Sequence, residues 1–274
     1  MKYCSVNGIQ QSYIDVDNRG LAYGDGLFTT AKIVNGQVEY LNAHINRLLD
    51  GCNKLDINGP KKELLKQKLI TVATNYSLAV LKVIIIANSG GRGYARTEEN
   101  TYELIVTVHD YPLNYNAQLN IGVKLGLSKQ KIGINPMLAG LKHLNRLEQV
   151  LLRRELSVRI EDDLLVTNIF DEVVEATSAN LFLYIDGALY TPDVSQSGVN
   201  GIMRQTILAN HHDAIIQPIT LDMLLQAQAM FICNCVMGIM PAASFDGRKL
   251  SMTLPLNLRK KMDNDKLDEV CDYD

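Results

Sequence analysis

Three dipeptides constrain this chain more than any other feature: Asn35-Gly36, Asp186-Gly187 and Asp246-Gly247, each set between runs of strand-forming residues. Asn-Gly and Asp-Gly tolerate the positive φ values of tight hairpin turns, so each predicts a pair of antiparallel neighbours. The first joins FTTAKIV to QVEYL and the second joins LFLYI to ALYTP. Helical patterns lie between such strands. In NAHINRLLDGCNKL the residues Ile45, Leu48, Leu49 and Cys52 share one helical face, and a second helix is predicted over 61–75. LKVIIIAN and YELIVTVHDY read as buried strands on either side of the glycine-rich loop SGGRGYARTEEN. Alternating strands and helices predict an α/β fold, with a mixed sheet in the second half that is closed or strongly curved.

With 274 residues, 47% of them hydrophobic, the chain can bury one or two sizeable cores, which excludes a small disulfide scaffold. YPLNYNAQLN carries turn formers and little periodicity, so the expected division is a smaller α/β domain over 1–112, a linker over 113–120 and a larger domain over 121–274. In the larger part a long helix is predicted from about Lys142, with Leu144, Leu147, Val150, Leu151 and Leu156 as its apolar stripe. The acidic end DNDKLDEVCDYD is expected to be a solvated tail. A balance of 27 Lys and Arg against 30 Asp and Glu, without a run of five like charges, argues against nucleic acid or a membrane surface as partner. The cysteines Cys4, Cys52, Cys233, Cys235 and Cys271 lack metal-knuckle or redox spacing, and the first residues lack the apolar core of a signal peptide. A cytoplasmic protein with reduced thiols is expected.

Several residues suit chemistry. Lys142 follows a loop bearing Pro and Gly; facing a cavity, its amine would be desolvated and able to form a Schiff base, although a solvated lysine fits the same position. Glu175, in EVVEATSANLF, lies where a strand ends among small residues; there a carboxylate can hold a protonated ring nitrogen or join an ordinary ion pair. Gly198 and Gly201 precede a helix opening with Ile202 and Met203, whose unpaired amides suit a phosphate, while Asn200 could serve as an N-cap. Arg47 and Arg92 can clamp an anion. The SGGRGY loop lacks the Gly-Lys-Ser/Thr ending of a phosphate loop and the dinucleotide fingerprint, and is read as a substrate loop. His44, His109, His143, His211 and His212 lack metal-site spacing, so no metal is expected, and no G-x-S-x-G elbow is present.

Taken together, YGDGLFTTAK, HINRL, SGGRGY, GLKHLNRLEQVLLR, EATSANLF, GVNGIMRQ and CN occur in an order that resembles the class IV aminotransferase family of fold type IV pyridoxal-phosphate enzymes. The resemblance spans roughly residues 3–250. It implies a small N-terminal α/β domain, a larger C-terminal cofactor-binding pseudobarrel, pyridoxal 5'-phosphate and a homodimer. By position, Lys142 matches the lysine that attaches to the cofactor, and Glu175 the acid at its pyridine nitrogen. Arg47 with the amides of Ile202 and Met203 matches the phosphate cup, and Asn234 stands where the family often has a hydroxyl residue. FTTAK, GGRGY, KHLNRLEQVL and GVNGIMRQ resemble the lyase branch, which converts 4-amino-4-deoxychorismate to 4-aminobenzoate and pyruvate in folate biosynthesis. Thr30 matches the threonine of that branch, where branched-chain aminotransferases carry Glu-Gly at 29–30. On this resemblance Lys142 and Thr30 are catalytic and Arg92 binds a substrate carboxylate. The alternative is a D-amino-acid or branched-chain aminotransferase. His143, Asn145 and Arg146 are read as structural.

Overall fold

The computed structural model describes residues 1–271, with side chains as far as Asp263. Of the acidic end expected as a solvated tail, residues 263–271 have helical backbone, and 272–274 lie outside the described residues. Two compact units emerge: Met1–Pro112 with Leu141–Arg146, and Leu113–Gly140 with Leu147–Asp274.

The first unit contains β1 (Tyr3–Val6), β2 (Ile9–Gln10), α1 (Arg19–Tyr23), β3 (Gly26–Val34), β4 (Gln37–Val38), α2 (Leu41–Lys54), α3 (Lys62–Ala73), β5 (Leu78–Ala87) and β6 (Tyr102–His109). The sheet runs β2-β1-β6-β5-β3-β4 and is antiparallel throughout. Asn35 and Gly36, at φ 49° and 78°, make the β3–β4 turn that their identities predict. Period-two alternation decides what each face does. Leu27, Ala31 and Ile33 of β3 are buried with Leu81, Val83 and Ile85 of β5, against Ile45 and Leu48 of α2 and Leu65 and Leu69 of α3. Phe28, Thr30 and Lys32 point to the other face and are half-buried.

The segment 141–146 is not the start of a helix, contrary to the sequence expectation. Phe28 N donates to Lys142 O at 2.9 Å, Leu144 N donates to Gly26 O at 3.0 Å, and Leu27 bridges His143 in antiparallel fashion. Strand pairing satisfies this backbone, and Leu144 packs with Val6, Ile86 and Ile105. The helix begins at Leu147.

The second unit contains α4 (Asn114–Ile121), β7 (Val123–Ile132), α5 (Leu147–Leu156), β8 (Asp163–Asn168), β9 (Val173–Ala176), β10 (Asn180–Ile185), β11 (Ala188–Pro192), α6 (Ile202–Asn210), β12 (Ile215–Gln217), α7 (Leu221–Gln226), β13 (Ala229–Asn234), β14 (Gly238–Phe245), β15 (Arg248–Lys249) and α8 (Thr253–Cys271). The 113–120 stretch, expected to be an irregular linker, instead forms most of α4. That helix closes on Gly122, whose φ is 74° and whose N–H donates to Gln118 O. The sheet order is β12-β11-β10-β13-β14-β7-β8-β9, with β15 on β14. Val173 N of β9 donates to Ile219 O, two residues past β12, at 2.8 Å. The two ends of the sheet therefore meet, and the sheet curls around a core that includes Leu165, Leu181, Met230, Ile232 and Met240. Among the described residues no helix is long and apolar enough to cross a membrane.

Gly26 tests how closely β3 approaches β5 and the Leu144 side chain where 141–146 joins the sheet. A Cβ there would stand 2.4 Å from Ile85 O and 2.9 Å from Leu144 Cδ1. Gly26→Ala should cost about 1–3 kcal/mol of stability, read as a lowered urea midpoint with an unchanged m-value.

Candidate functional site

Within the second unit, β9 places Glu175 in the interior, 7% exposed. Its Oε2 accepts from Val199 N at 2.9 Å, and Asn180 Nδ2 donates to Val199 O at 2.8 Å. These two side chains pin the turn that feeds α6. Neither glycine of that turn tolerates a side chain: a Cβ on Gly198 (φ 81°) would meet Val174 Cγ1 at 2.6 Å, and one on Gly201 would meet Asn180 Oδ1 at 2.0 Å. Gly201 is the N-cap of α6 and provides no capping side chain. The amides of Ile202 and Met203 thus open the helix at the positive end of its dipole, where anions are favoured. Asn200 is not the cap; its Oδ1 accepts from Arg204 Nη1 at 3.0 Å, and Arg204 Nη2 donates to Pro192 O at 3.0 Å. Asn234 is spent locally: its Oδ1 accepts from Val236 N and Met237 N, both at 2.9 Å, and its Nδ2 donates to Ser178 O at 3.2 Å. Glu175 and the start of α6 therefore form one built site, with Asn234 holding a turn.

Within the first unit, strand pairing delivers Lys142 to the half-buried face of the sheet. Its Nζ lies 4.7 Å from the centroid of the Phe28 ring. Lys82 Nζ lies 5.0 Å from the same centroid, so two ammonium groups share one aromatic side chain. Lys82 is paired in register with Thr30, two residues beyond Phe28 on the same face. Thr107 is Lys82's partner on β6, and its Oγ1 shares a 3.0 Å hydrogen bond with His109 Nε2. Burial pushes the Lys82 ammonium below its ordinary value. The sequence reading missed Lys82. The signal was available: it is the one charge in the apolar strand LKVIIIAN, and such a residue in a central strand needs a reason. Lys142, Lys82 and Thr30 thus provide an amine and a hydroxyl beside a second cation, a setting suited to an anionic substrate. Arg92 lies on the exposed 89–95 loop.

Arg47 lies on α2, three residues after His44. The His44 side chain is fully buried; its Nδ1 shares a 2.6 Å hydrogen bond with Thr29 Oγ1, and its Nε2 has no partner within the protein. Burial, followed by the positive charges of Arg47 and Lys142, pushes its pKa down to about 3. His44 is therefore neutral across the physiological range, and its unsatisfied nitrogen marks a polar spot beside the two cations. His143 is lowered to about 4, chiefly by burial.

These shifts carry a sign. Between pH 6.5 and 3 the unfolded chain binds a proton at residue 44 that the folded protein rejects. Stability contributed by neutral His44 is therefore present above 6.5 and falls as the pH drops, by on the order of 5 kcal/mol at full protonation. His44→Asn, which can keep the bond to Thr29, should flatten the dependence of the urea midpoint on pH between about 7 and 4. A slope equal to that of the wild type would refute the assignment.

The description amino-transferase class IV fits residues 26–245. The aminodeoxychorismate lyase of Vibrio harveyi is 31% identical over 255 residues, spanning 92% of this chain and 94% of the relative. The crystal structure of 4-amino-4-deoxychorismate lyase from Pseudomonas aeruginosa superposes with a TM-score of 0.90 at 33% identity, covering 96% of this chain and 98% of its own. A D-alanine aminotransferase of Listeria monocytogenes is 24% identical over 246 residues, covering 87% of this chain and 84% of the relative. A buried acid beside a glycine-bounded helix start, a lysine laid over an aromatic ring and a match spanning most of both units lead to one assignment: this chain belongs to the class IV aminotransferase family.

Proposed function

We propose that this enzyme is a pyridoxal-phosphate-dependent lyase that converts 4-amino-4-deoxychorismate to 4-aminobenzoate and pyruvate. The observation that carries the reading is Thr30, on the strand face where Lys142 and Lys82 meet Phe28. The residues present suit the cofactor: a buried carboxylate at Glu175 for a cationic ring nitrogen, and the α6 amides for a phosphate. Arg47 would add a guanidinium to the phosphate, and Asn234 would contribute through the turn it holds. In this reading the second unit is the cofactor-binding domain, and Lys142, carried by 141–146, is the residue to which the cofactor attaches. When bound, the cofactor supplies an electron sink, and Glu175 keeps that sink protonated.

The residues then divide the work. Lys142, released as a free amine, takes the proton from the substrate carbon that bears the nitrogen. The electron pair left behind expels the enolpyruvyl oxygen from the adjacent ring carbon, and the six-membered ring becomes aromatic. Thr30 orients the departing group and relays a proton to its methylene carbon, which completes pyruvate. The substrate carries two carboxylates. Lys82 and Arg92 are matched to them, a compact ammonium and a planar guanidinium.

We further propose a cytoplasmic homodimer. Leu147, Val150 and Leu151, at i, i+3 and i+4 on α5, are 71%, 61% and 48% exposed, an apolar stripe that supports association. The free thiols at Cys4, Cys52, Cys233 and Cys235 support a reducing compartment.

Turnover tests the function directly. Wild-type holoenzyme should release 4-aminobenzoate and pyruvate in equal amounts. Lys142→Ala should lose at least about a thousandfold in kcat, and Thr30→Ala about a hundredfold with the cofactor still bound. If the wild type forms neither product but exchanges amino groups between D-alanine and an oxo acid, the aminotransferase reading replaces this one.

A further inference from the structure

Asp25 lies within the YGDG motif, Arg19 precedes it and Arg96 closes the SGGRGYAR loop, yet none has a part in the chemistry above. The three side chains form a single cluster. Arg19 Nε donates to Asp25 Oδ2 at 2.8 Å; Arg96 Nε donates to the same oxygen at 3.0 Å, and its Nη2 to Asp25 Oδ1 at 2.5 Å. The remaining N–H groups are turned on main-chain carbonyls. Arg19 Nη2 donates to Tyr94 O at 2.9 Å, and Nη1 faces Ala95 O at 3.2 Å with Gly90 O and Gly93 O at 3.4 Å. Arg96 Nη1 donates to Leu55 O and Asp56 O, at 2.7 and 2.6 Å, just past the end of α2.

The loop so held is itself exposed, whereas Arg19 beneath it is only 4% exposed. Its path is special: Gly90, Gly91 and Gly93 have φ of 104°, 82° and 59°, and a Cβ on Gly91 would stand 2.1 Å from Ala95 O. Burial acts to raise the Asp25 carboxyl, but the hydrogen bonds from Arg96 and Arg19 outweigh it, so the acid stays ionised below its ordinary value. Charged clusters of this kind are a poor source of stability, because desolvation offsets most of their attraction. Their strength is geometric definition, since a guanidinium with five directed donors orients whatever it binds. Here the bound object is the backbone on both sides of Arg92.

We propose that Asp25 is a positioning residue for substrate recognition: through Arg19 and Arg96 it sets the 89–95 loop so that Arg92 meets a substrate carboxylate in one orientation. The inference rests on the reading of Arg92 as a substrate residue. Asp25 touches neither substrate nor cofactor; it acts through the loop. Removing its charge leaves two guanidiniums without their anion, and the four loop carbonyls lose an oriented donor.

The test uses holoenzyme of four variants: Asp25→Asn, Arg96→Gln, Arg92→Ala and the double variant Asp25→Asn/Arg92→Ala. In Asp25→Asn the amides of 89–95 should exchange hydrogen faster, and KM for 4-amino-4-deoxychorismate should rise about tenfold with kcat within about twofold. Arg96→Gln, at a partly exposed position, should show a smaller shift of the same kind and decides the matter if Asp25→Asn does not fold. In the double variant KM should rise little beyond that of Arg92→Ala, because the clamp acts through Arg92. Additive KM effects, faster loop exchange with unchanged KM, or unchanged loop exchange would each overturn the proposal. An Arg92→Ala KM equal to that of the wild type would instead sink the underlying reading of Arg92. If the wild type turns over only an amino-acid donor, the lyase reading fails, and the same KM coupling measured with that donor still decides the clamp.

Discussion

The pairing of residues 141–146 with the start of β3 is the contact on which the proposed chemistry depends. Two hydrogen bonds, Phe28 N to Lys142 O and Leu144 N to Gly26 O, turn a segment that follows β7 in sequence into a short neighbour of β3. Gly26 leaves room for the Leu144 side chain, which secures the pairing against Val6, Ile86 and Ile105. Arg146 locks the far end, donating to His143 O and Leu141 O at 2.9 and 2.8 Å. An amine on a flexible four-carbon stem is held in place only if its backbone is fixed, and here it is fixed by a sheet. Asn145 and Arg146 thereby acquire a structural role, Asn145 through its bond to Gly24 O.

Charge is distributed with the same economy. On the half-buried face of the first sheet the cations Lys82 and Lys142 gather around Phe28, and on the opposite side of β3 a neutral histidine, not a third cation, sits near Arg47 and Lys142. Keeping His44 uncharged avoids adding repulsion where two positive groups already stand close. In the second unit the buried carboxylate of Glu175 is not left bare, since Val199 N donates to it. That hydrogen bond also ties the acid to the turn that opens α6, so one contact orients both the carboxylate and the helix start proposed to hold the cofactor.

The Asp25 cluster extends this logic to the periphery. Its buried charges do not enlarge a core; they direct hydrogen-bond donors at an exposed loop that apolar packing could not shape. The groups proposed to react are thus carried on paired strands and a helix start, and the loop that bears Arg92 is held by guanidiniums.

Local chemistry was written in the sequence. Asn35-Gly36, Asp186-Gly187 and Asp246-Gly247 all adopt the positive φ their turns require, because that preference belongs to the dipeptide and its immediate neighbours. The helix around Arg47, the strands around Thr30 and Glu175, and the glycine-bounded start of α6 were legible for the same reason: periodicity and capping are properties of short windows. The tertiary structure decided what those windows could not. KHLNRL has a helical pattern, yet its first residues pair with β3, since a backbone bond to a distant strand outweighs a weak local propensity. YPLNYN looks irregular, yet α4 forms there and closes on Gly122. Lys82 looked like one more strand residue until β3 and β5 set it beside Thr30 and Phe28, and the Asp25 cluster joins residues up to 76 positions apart. Contacts of that range depend on which faces the chain buries together, and no local pattern encodes them.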